Sequence, residues 1–211
     1  MGKVNIFCDV DGVLANFIGA TCRLHEKHLK VPSTWEFYKD WGLSDEEFWE
    51  PIQALGGAFA LEIEALPWAG KLLDMLRAEG DVRFLTAPWK SPEAWGGRVR
   101  WLVERMGARF EDIILCPGHL KAFFAKGKER NILIDDSEKN VGQWCRAGGV
   151  GFVWPGPSSS LHTAYANMCL EGHPDIAGLP VSDVFVSRLR RAIRRFRDYE
   201  VASGPVSWIQ E

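Results

Sequence analysis

The stretch that most limits the fold is Val4-Asn5-Ile6-Phe7-Cys8-Asp9-Val10-Asp11-Gly12-Val13-Leu14. The short apolar run reads as a buried strand. It ends in two aspartates one residue apart, which strand alternation would send to the same side. Two carboxylates at one strand end repel each other and invite a cation. The same letters also describe a plain strand-to-turn junction with Gly12 at positive φ.

Further strands follow at Val82–Thr86, Ile113–Leu115, Asn131–Ile134 and Val150–Trp154. Helices separate them. Ala69–Ala78 places Leu72, Leu73 and Leu76 on one face and stops at Gly80. Ser91-Pro92-Glu93 opens a helix that runs to Met106 and ends at Gly107. Ser137–Ala147 is a third, closed by Gly148-Gly149. Strands alternating with helices predict an α/β fold: a mostly parallel sheet with helices on both faces, and ligands at the strands' carboxyl ends.

Between the first strand and Pro67 the chain is aromatic-rich and shows no strand, and Ser44-Asp45-Glu46-Glu47 fits a capping box. Residues 16–66 are therefore expected to form a small helical insert. Residues 1–15 and 67–155 form the core, and 156–211 a helical extension packed on it, with Pro155–Ser160 as a linker. At 211 residues the chain has room for this arrangement.

Three strand ends carry polar groups: Asp9 with Asp11, Thr86, and Asp135 with Asp136. Taken singly, Thr86 ends a strand and Asp135-Asp136 caps a helix. In a parallel sheet all of them meet on one rim, where carboxylates and a hydroxyl suit a hard cation and a phosphate.

With these residues in place, the chain resembles the haloacid dehalogenase (HAD) superfamily, and within it the 5′(3′)-deoxyribonucleotidases. The resemblance rests on Asp9–Phe17, Leu61–Pro67, Thr86–Lys90 and Leu133–Asp136, and covers roughly residues 4–155. It implies a Rossmannoid three-layer sandwich with a small helical cap inserted after the first strand. It also implies a phosphomonoesterase that uses magnesium (Mg2+). Asp9 would be the nucleophile and Asp11 the acid/base. Thr86 and the backbone at Ala87 would bind phosphate. Mg2+ would be held by Asp9, the Asp11 carbonyl and one of Asp135 or Asp136. Lys121, Lys126 and Lys128 compete for the phosphate lysine; the resemblance favours Lys121, then Lys126. Lys90 would add a phosphate contact. Phe17 would face a base or pack at the cap hinge, and Phe59, Trp35 and Trp41 would stack on the base or pack the cap. Two departures bear on nucleotide preference. Ser137 stands where the family commonly has arginine, and Cys116-Pro117-Gly118-His119 replaces an arginine-containing turn.

The substrate implied is a small phosphomonoester, a deoxynucleotide first. Other small phosphoesters, polynucleotide ends, or binding without catalysis are the alternatives. The net charge of −3 gives no global field for nucleic acid. Residues 187–197 are locally very basic. With Phe185, Leu189, Ile193 and Phe196 in one stripe, they read as a docked amphipathic helix with a solvated basic face, or as a patch for nucleic acid. A homodimer is admitted. Five scattered cysteines without a C-x-x-C pair read as reduced thiols. No apolar run is long enough to span a membrane. A cytoplasmic protein is expected.

Overall fold

The structure is a computed structural model that describes residues 4–27, 35–125, 130–154 and 180–198. Lys126, Lys128, Cys169 and the Pro155–Ser160 linker lie outside the described residues, as does the side chain of Phe185.

Among the described residues five strands build one sheet: β1 (Val4–Cys8), β2 (Asp81–Thr86), β3 (Ile113–Leu115), β4 (Arg130–Asp135) and β5 (Val150–Val153). Their order is β3-β2-β1-β4-β5, and every pairing is parallel. The expected α/β sandwich is borne out, with a sheet that is wholly rather than mostly parallel. Cys8 pairs with Phe84 on one side and Ile134 on the other. That register brings the residues after β1 level with the ends of β2 and β4. The chain leaves β1 towards β2 and β3, then returns to the other side of β1 for β4, so the strand order reverses around Asp9.

Alternation along the strands feeds two apolar layers. Ile6, Cys8, Phe84, Ile132 and Ile134 face the larger one. Helices α4 (Ala69–Glu79), α5 (Pro92–Met106) and the last described helix, α7 (Pro180–Asp198), contribute to it, as does the 16–66 segment. Phe7, Leu85 and Leu133 face the other layer, where Val141 and Trp144 of α6 (Glu138–Arg146) pack. Local signals account for the helix ends. The Ser91 side chain accepts from the Ala94 amide, and Gly107 closes α5 at φ 60°.

The 16–66 segment carries α1 (Phe17–Leu24), a 3₁₀ turn at Phe37–Trp41, α2 (Asp45–Leu55) and α3 (Gly57–Glu62). The capping box at Ser44 and Glu47 is formed in both directions. The segment's two ends are stitched together by an antiparallel bridge between Ala15 and Ala65. The Leu66 amide donates to the Leu14 carbonyl at 2.7 Å.

The basic helix α7 is docked: Val186, Leu189 and Ile193 are buried against the core. Its basic face is not simply solvated, because Arg190, Arg194 and Arg197 converge on the buried carboxylate of Glu79 in α4. The four described cysteines are free thiols. Among the described residues no helix is long and apolar enough to cross a membrane.

Candidate active site

Asp9 follows β1 directly, and its amide donates to the Ile134 carbonyl at 2.8 Å, which ties it to the end of β4. Its Oδ1 accepts from the Val10 amide at 2.8 Å and pairs with Lys121 Nζ at 2.9 Å. The chain then turns sharply. Gly12 sits at φ +78°, and a Cβ there would run into the carboxylate of Asp136. Both readings of the opening motif therefore hold: Gly12 does make a left-handed turn, and the turn does deliver Asp9 and Asp11 to one site.

Lys121 comes from the 3₁₀ turn Gly118–Ala125, which is pinned to β4 by Asn131 Nδ2 donating to the Phe124 carbonyl at 2.7 Å. Its ammonium is buried between Asp9 and Asp135, 2.7 Å from Asp135 Oδ2. Burial works against its charge, but Asp135 and Asp9 outweigh it and push its pKa up. Asp135 is further held by Asn140 Nδ2, 3.1 Å from each oxygen, and by the Ser137 amide at 2.9 Å.

Oxygens of Asp9, Asp135 and Asp136 lie within 4.8 Å of one another, and all three residues are buried. Burial pushes the Asp9 carboxyl up to about 7; Lys121 opposes the rise, while Asp135 and Asp11 add to it. Burial, then Asp135 and Asp9, raise Asp136 well above the usual carboxylate range. The cluster is short of positive charge. All-oxygen carboxylate donors of this kind suit a hard divalent cation.

A cleft of about 230 Å³ opens over this cluster. Its polar side is Asp9, Asp11, Lys121, Asp136, Ser137 and Asn140; its aromatic side is Phe17, Trp35, Trp49 and Trp89, with Ala87 between. Phe17 is the hub of that aromatic side, its ring 6.1–6.4 Å from those of Trp49, Trp35 and Trp89.

Other expected site residues stand elsewhere. Phe59 does not line the cleft; it lies behind it, edge-on to Phe17 at 6.0 Å and to Trp89 at 5.4 Å. Trp41 packs on Phe37 and Phe48 within the insert. Lys90 is exposed and away from the cleft, because Trp89 takes the position facing it before the chain turns into α5. Thr86 is fully buried beneath Ala87, and its hydroxyl has no hydrogen-bond partner among the described residues.

The sequence reading did not single out Trp49, Trp89, Asn140 or Arg98 as site residues. Arg98, fully buried on α5, donates through Nη2 to both oxygens of Asp11, at 2.6 and 2.7 Å. A signal was available: Ala94, Arg98, Trp101 and Leu102 recur at helical spacing, and all are buried.

No curated protein matches the chain. Among solved structures it is similar to a HAD family hydrolase from Deinococcus radiodurans R1, with 17% identity, TM-score 0.47, and coverage of 88% of this chain and 96% of that one. It is also similar to a phosphonoacetaldehyde hydrolase-like protein from Oleispira antarctica, with 13% identity, TM-score 0.49, and coverage of 92% and 95%. The profile of the family described as 5′ nucleotidase, deoxy (pyrimidine), cytosolic type C protein matches residues 3–164. The chain belongs to that family, and with it to the 5′-nucleotidase-like phosphatases of the HAD superfamily.

Proposed function

We propose that the protein is a Mg2+-dependent phosphomonoesterase that works through an aspartyl-phosphate on Asp9 and acts on (deoxy)nucleoside monophosphates. One observation carries this reading. Asp9, Asp11, Lys121 and Asp136 share a single small cleft with Phe17, Trp35, Trp49 and Trp89. A phosphate at the charged side leaves an aromatic base at the ring side, where stacking is favourable. The volume is below the ~300–1,000 Å³ of pockets for drug-sized ligands, and so favours a small ester.

The carboxylates fit Mg2+. Asp136 lines the cleft, whereas Asp135 does not, and both Asp135 oxygens already accept protein hydrogen bonds. Asp136 and Asp9 would therefore bind the ion directly, with the Asp11 carbonyl, while Asp135 orients Lys121. Bound there, Mg2+ would neutralise the carboxylates and polarise the phosphoryl oxygens. Asp9 Oδ1 is held by Lys121 and Val10, which leaves Oδ2 to attack phosphorus. Asp11 gives a proton to the departing ester oxygen, then takes one from the water that hydrolyses the aspartyl-phosphate. Lys121 balances charge on Asp9 and on the phosphoryl group. Ala87 presents backbone to the phosphate, with Thr86 beneath it.

A polynucleotide-end substrate is less well supported, since three arginines of α7 are committed to Glu79. The test is phosphate release from nucleoside mono-, di- and triphosphates and sugar phosphates, with and without Mg2+. Turnover is expected to be greatest on deoxynucleoside monophosphates, to need Mg2+, and to vanish in Asp9→Asn. Unchanged turnover in that variant would overturn the mechanism. A preference for sugar phosphates would overturn the substrate class.

A further inference from the structure

Arg98 is an expensive residue. Its side chain is fully buried, and only Nη2 has hydrogen-bond partners among the described residues, both of them oxygens of Asp11. Nε and Nη1 have none there; the guanidinium lies 5.6 Å from the ring of Trp101. An apolar side chain of similar volume would avoid the desolvation cost of a buried cation. What the arginine supplies instead is placement. Asp11 stands on a turn beyond the end of β1, with its side chain only 19% exposed and at the edge of the cleft. One nitrogen bridging both carboxylate oxygens restricts how that side chain can swing.

The base of Arg98 is itself fixed. Helix α5 packs against α3 so closely that a Cβ on Gly97 would lie 2.6 Å from the Gly57 carbonyl oxygen. Trp101 Nε1 donates to the Ile63 carbonyl at 2.7 Å, tying the next turn of α5 to the end of the insert. Position 98 is therefore flanked on α5 by two contacts to the 16–66 segment, one at Gly57 and one at Ile63.

The geometry points to Arg98 as a positioning residue for Asp11, resting on the phosphomonoesterase reading above. In the first half-reaction the Asp9 Oδ2–phosphorus bond forms, the phosphorus–ester oxygen bond breaks, and the Asp11 proton goes to the departing oxygen. In the second, water oxygen bonds phosphorus, its proton returns to Asp11, and Asp9 leaves as carboxylate with inorganic phosphate released. Asp11 must present an oxygen at the same place in both halves, and Arg98 anchors it there. A misplacement of about 1 Å at such a group is enough to cost on the order of 10²-fold in rate.

The experiment compares a nucleoside 5′-monophosphate, whose leaving group needs a proton, with 4-nitrophenyl phosphate, whose leaving group needs little help. The full chain with Mg2+ is used as wild type, Arg98→Met, Arg98→Lys, Asp11→Asn and the Arg98→Met/Asp11→Asn double variant. Arg98→Met is expected to lower kcat on the nucleotide by about 10²-fold, with KM within about threefold, and to lower turnover of the aryl ester by less than about tenfold. Arg98→Lys regains most of the nucleotide rate. In the Asp11→Asn background Arg98→Met costs no more than about a further twofold. Equal loss on both esters, a rise in KM alone, or additivity with Asp11→Asn would overturn the assignment. If Arg98→Met does not fold, Arg98→Gln, which removes the charge that holds Asp11, decides it: a loss confined to the nucleotide supports the role, an equal loss on both esters or none on either removes it. A wild-type chain inactive on both esters would instead overturn the phosphatase reading itself.

Discussion

Lys121 Nζ lies 2.9 Å from Asp9 Oδ1, both side chains being almost wholly inside the protein. It is the cation that makes three clustered carboxylates tolerable. Removing one partner of a buried charge set typically costs ~3–5 kcal/mol, because the remaining charges lose their compensation. Lys121→Met should therefore melt well below wild type when divalent ions are chelated, and recover in part when Mg2+ supplies the missing charge. Thermal melts with EDTA and with MgCl₂ check this. A variant that melts like wild type in EDTA would remove Lys121 from that role.

Asp9 gives a pH dependence with a defined sign. Its carboxyl is pushed from 3.8 up to about 7, chiefly by burial. Between about 4 and 7 the folded chain holds a proton there that the unfolded chain has lost, so stability falls as pH rises through that window. Above about 7 the cost is complete. Asp9→Asn removes it. The metal-free variant should melt higher than wild type at pH 8, with the difference closing towards pH 4, while phosphatase turnover is lost. A lower melting temperature than wild type at pH 8 in EDTA would contradict the argument.

The sheet and the carboxylate rim were legible because they rest on local signals. The apolar run before Asp9, the Ser91 cap and the Gly107 stop each need only a few neighbouring letters. The preference for Lys121 over Lys126 or Lys128 rests on resemblance, since no local periodicity or cap ranks the three. What places Lys121 is remote: Asn131 pins the turn to β4, and Asn5 in β1 donates to Asn131 at 3.1 Å. The aromatics were harder still. Phe59 and Trp89 are both buried rings next to Phe17, and only the path of the chain puts Trp89 on the cleft and Phe59 behind it. Arg98 and Glu79 look like ordinary charged helix positions. Their spacing from Ala94 and from Leu72 and Leu76 marks them as inward-facing, whereas their charge alone would place them at the surface.

Two adjacent glycines in α5 should respond in opposite directions. A Cβ at Gly97 would meet the Gly57 carbonyl oxygen at 2.6 Å, the Gly57 Cα at 2.8 Å and the Ala60 Cβ at 2.9 Å. Two of these are backbone and cannot rotate away, so Gly97→Ala must push α5 from α3 at a cost of roughly 1–3 kcal/mol. A Cβ at Gly96 meets nothing within 4 Å. Gly96→Ala should gain about 0.5–1 kcal/mol from helix propensity alone. Urea denaturation of the two variants reads the signs directly, and equal effects would show that α5 is not seated on α3 as described.

Glu79 anchors the carboxyl-terminal helix to the core. Its side chain is buried at the end of α4, with Arg190 Nε at 3.1 Å, Arg194 Nη2 at 2.8 Å and Arg197 Nη1 at 3.0 Å. Burial alone would raise its pKa, but Arg194, Arg197 and Arg190 outweigh it and hold the carboxyl below its ordinary range. The stabilisation is therefore full above the unfolded value near 4.5 and is lost as pH falls through the lower folded value. Arg190 and Arg194 remain about half exposed, so water can take them back when the carboxylate is removed. Glu79→Gln should cost about 1–2 kcal/mol, or roughly 2–8 °C in Tm for a chain of this size. The loss should be clear at pH 7 and shrink towards pH 3. The apolar contacts of Val186, Leu189 and Ile193 are untouched, so the helix should loosen rather than detach. Limited proteolysis should then cut the variant within residues 180–198 faster than wild type, while residues 4–154 stay intact. A variant with wild-type melting and wild-type cleavage at pH 7 would show that the three arginines add nothing to docking beyond the apolar stripe.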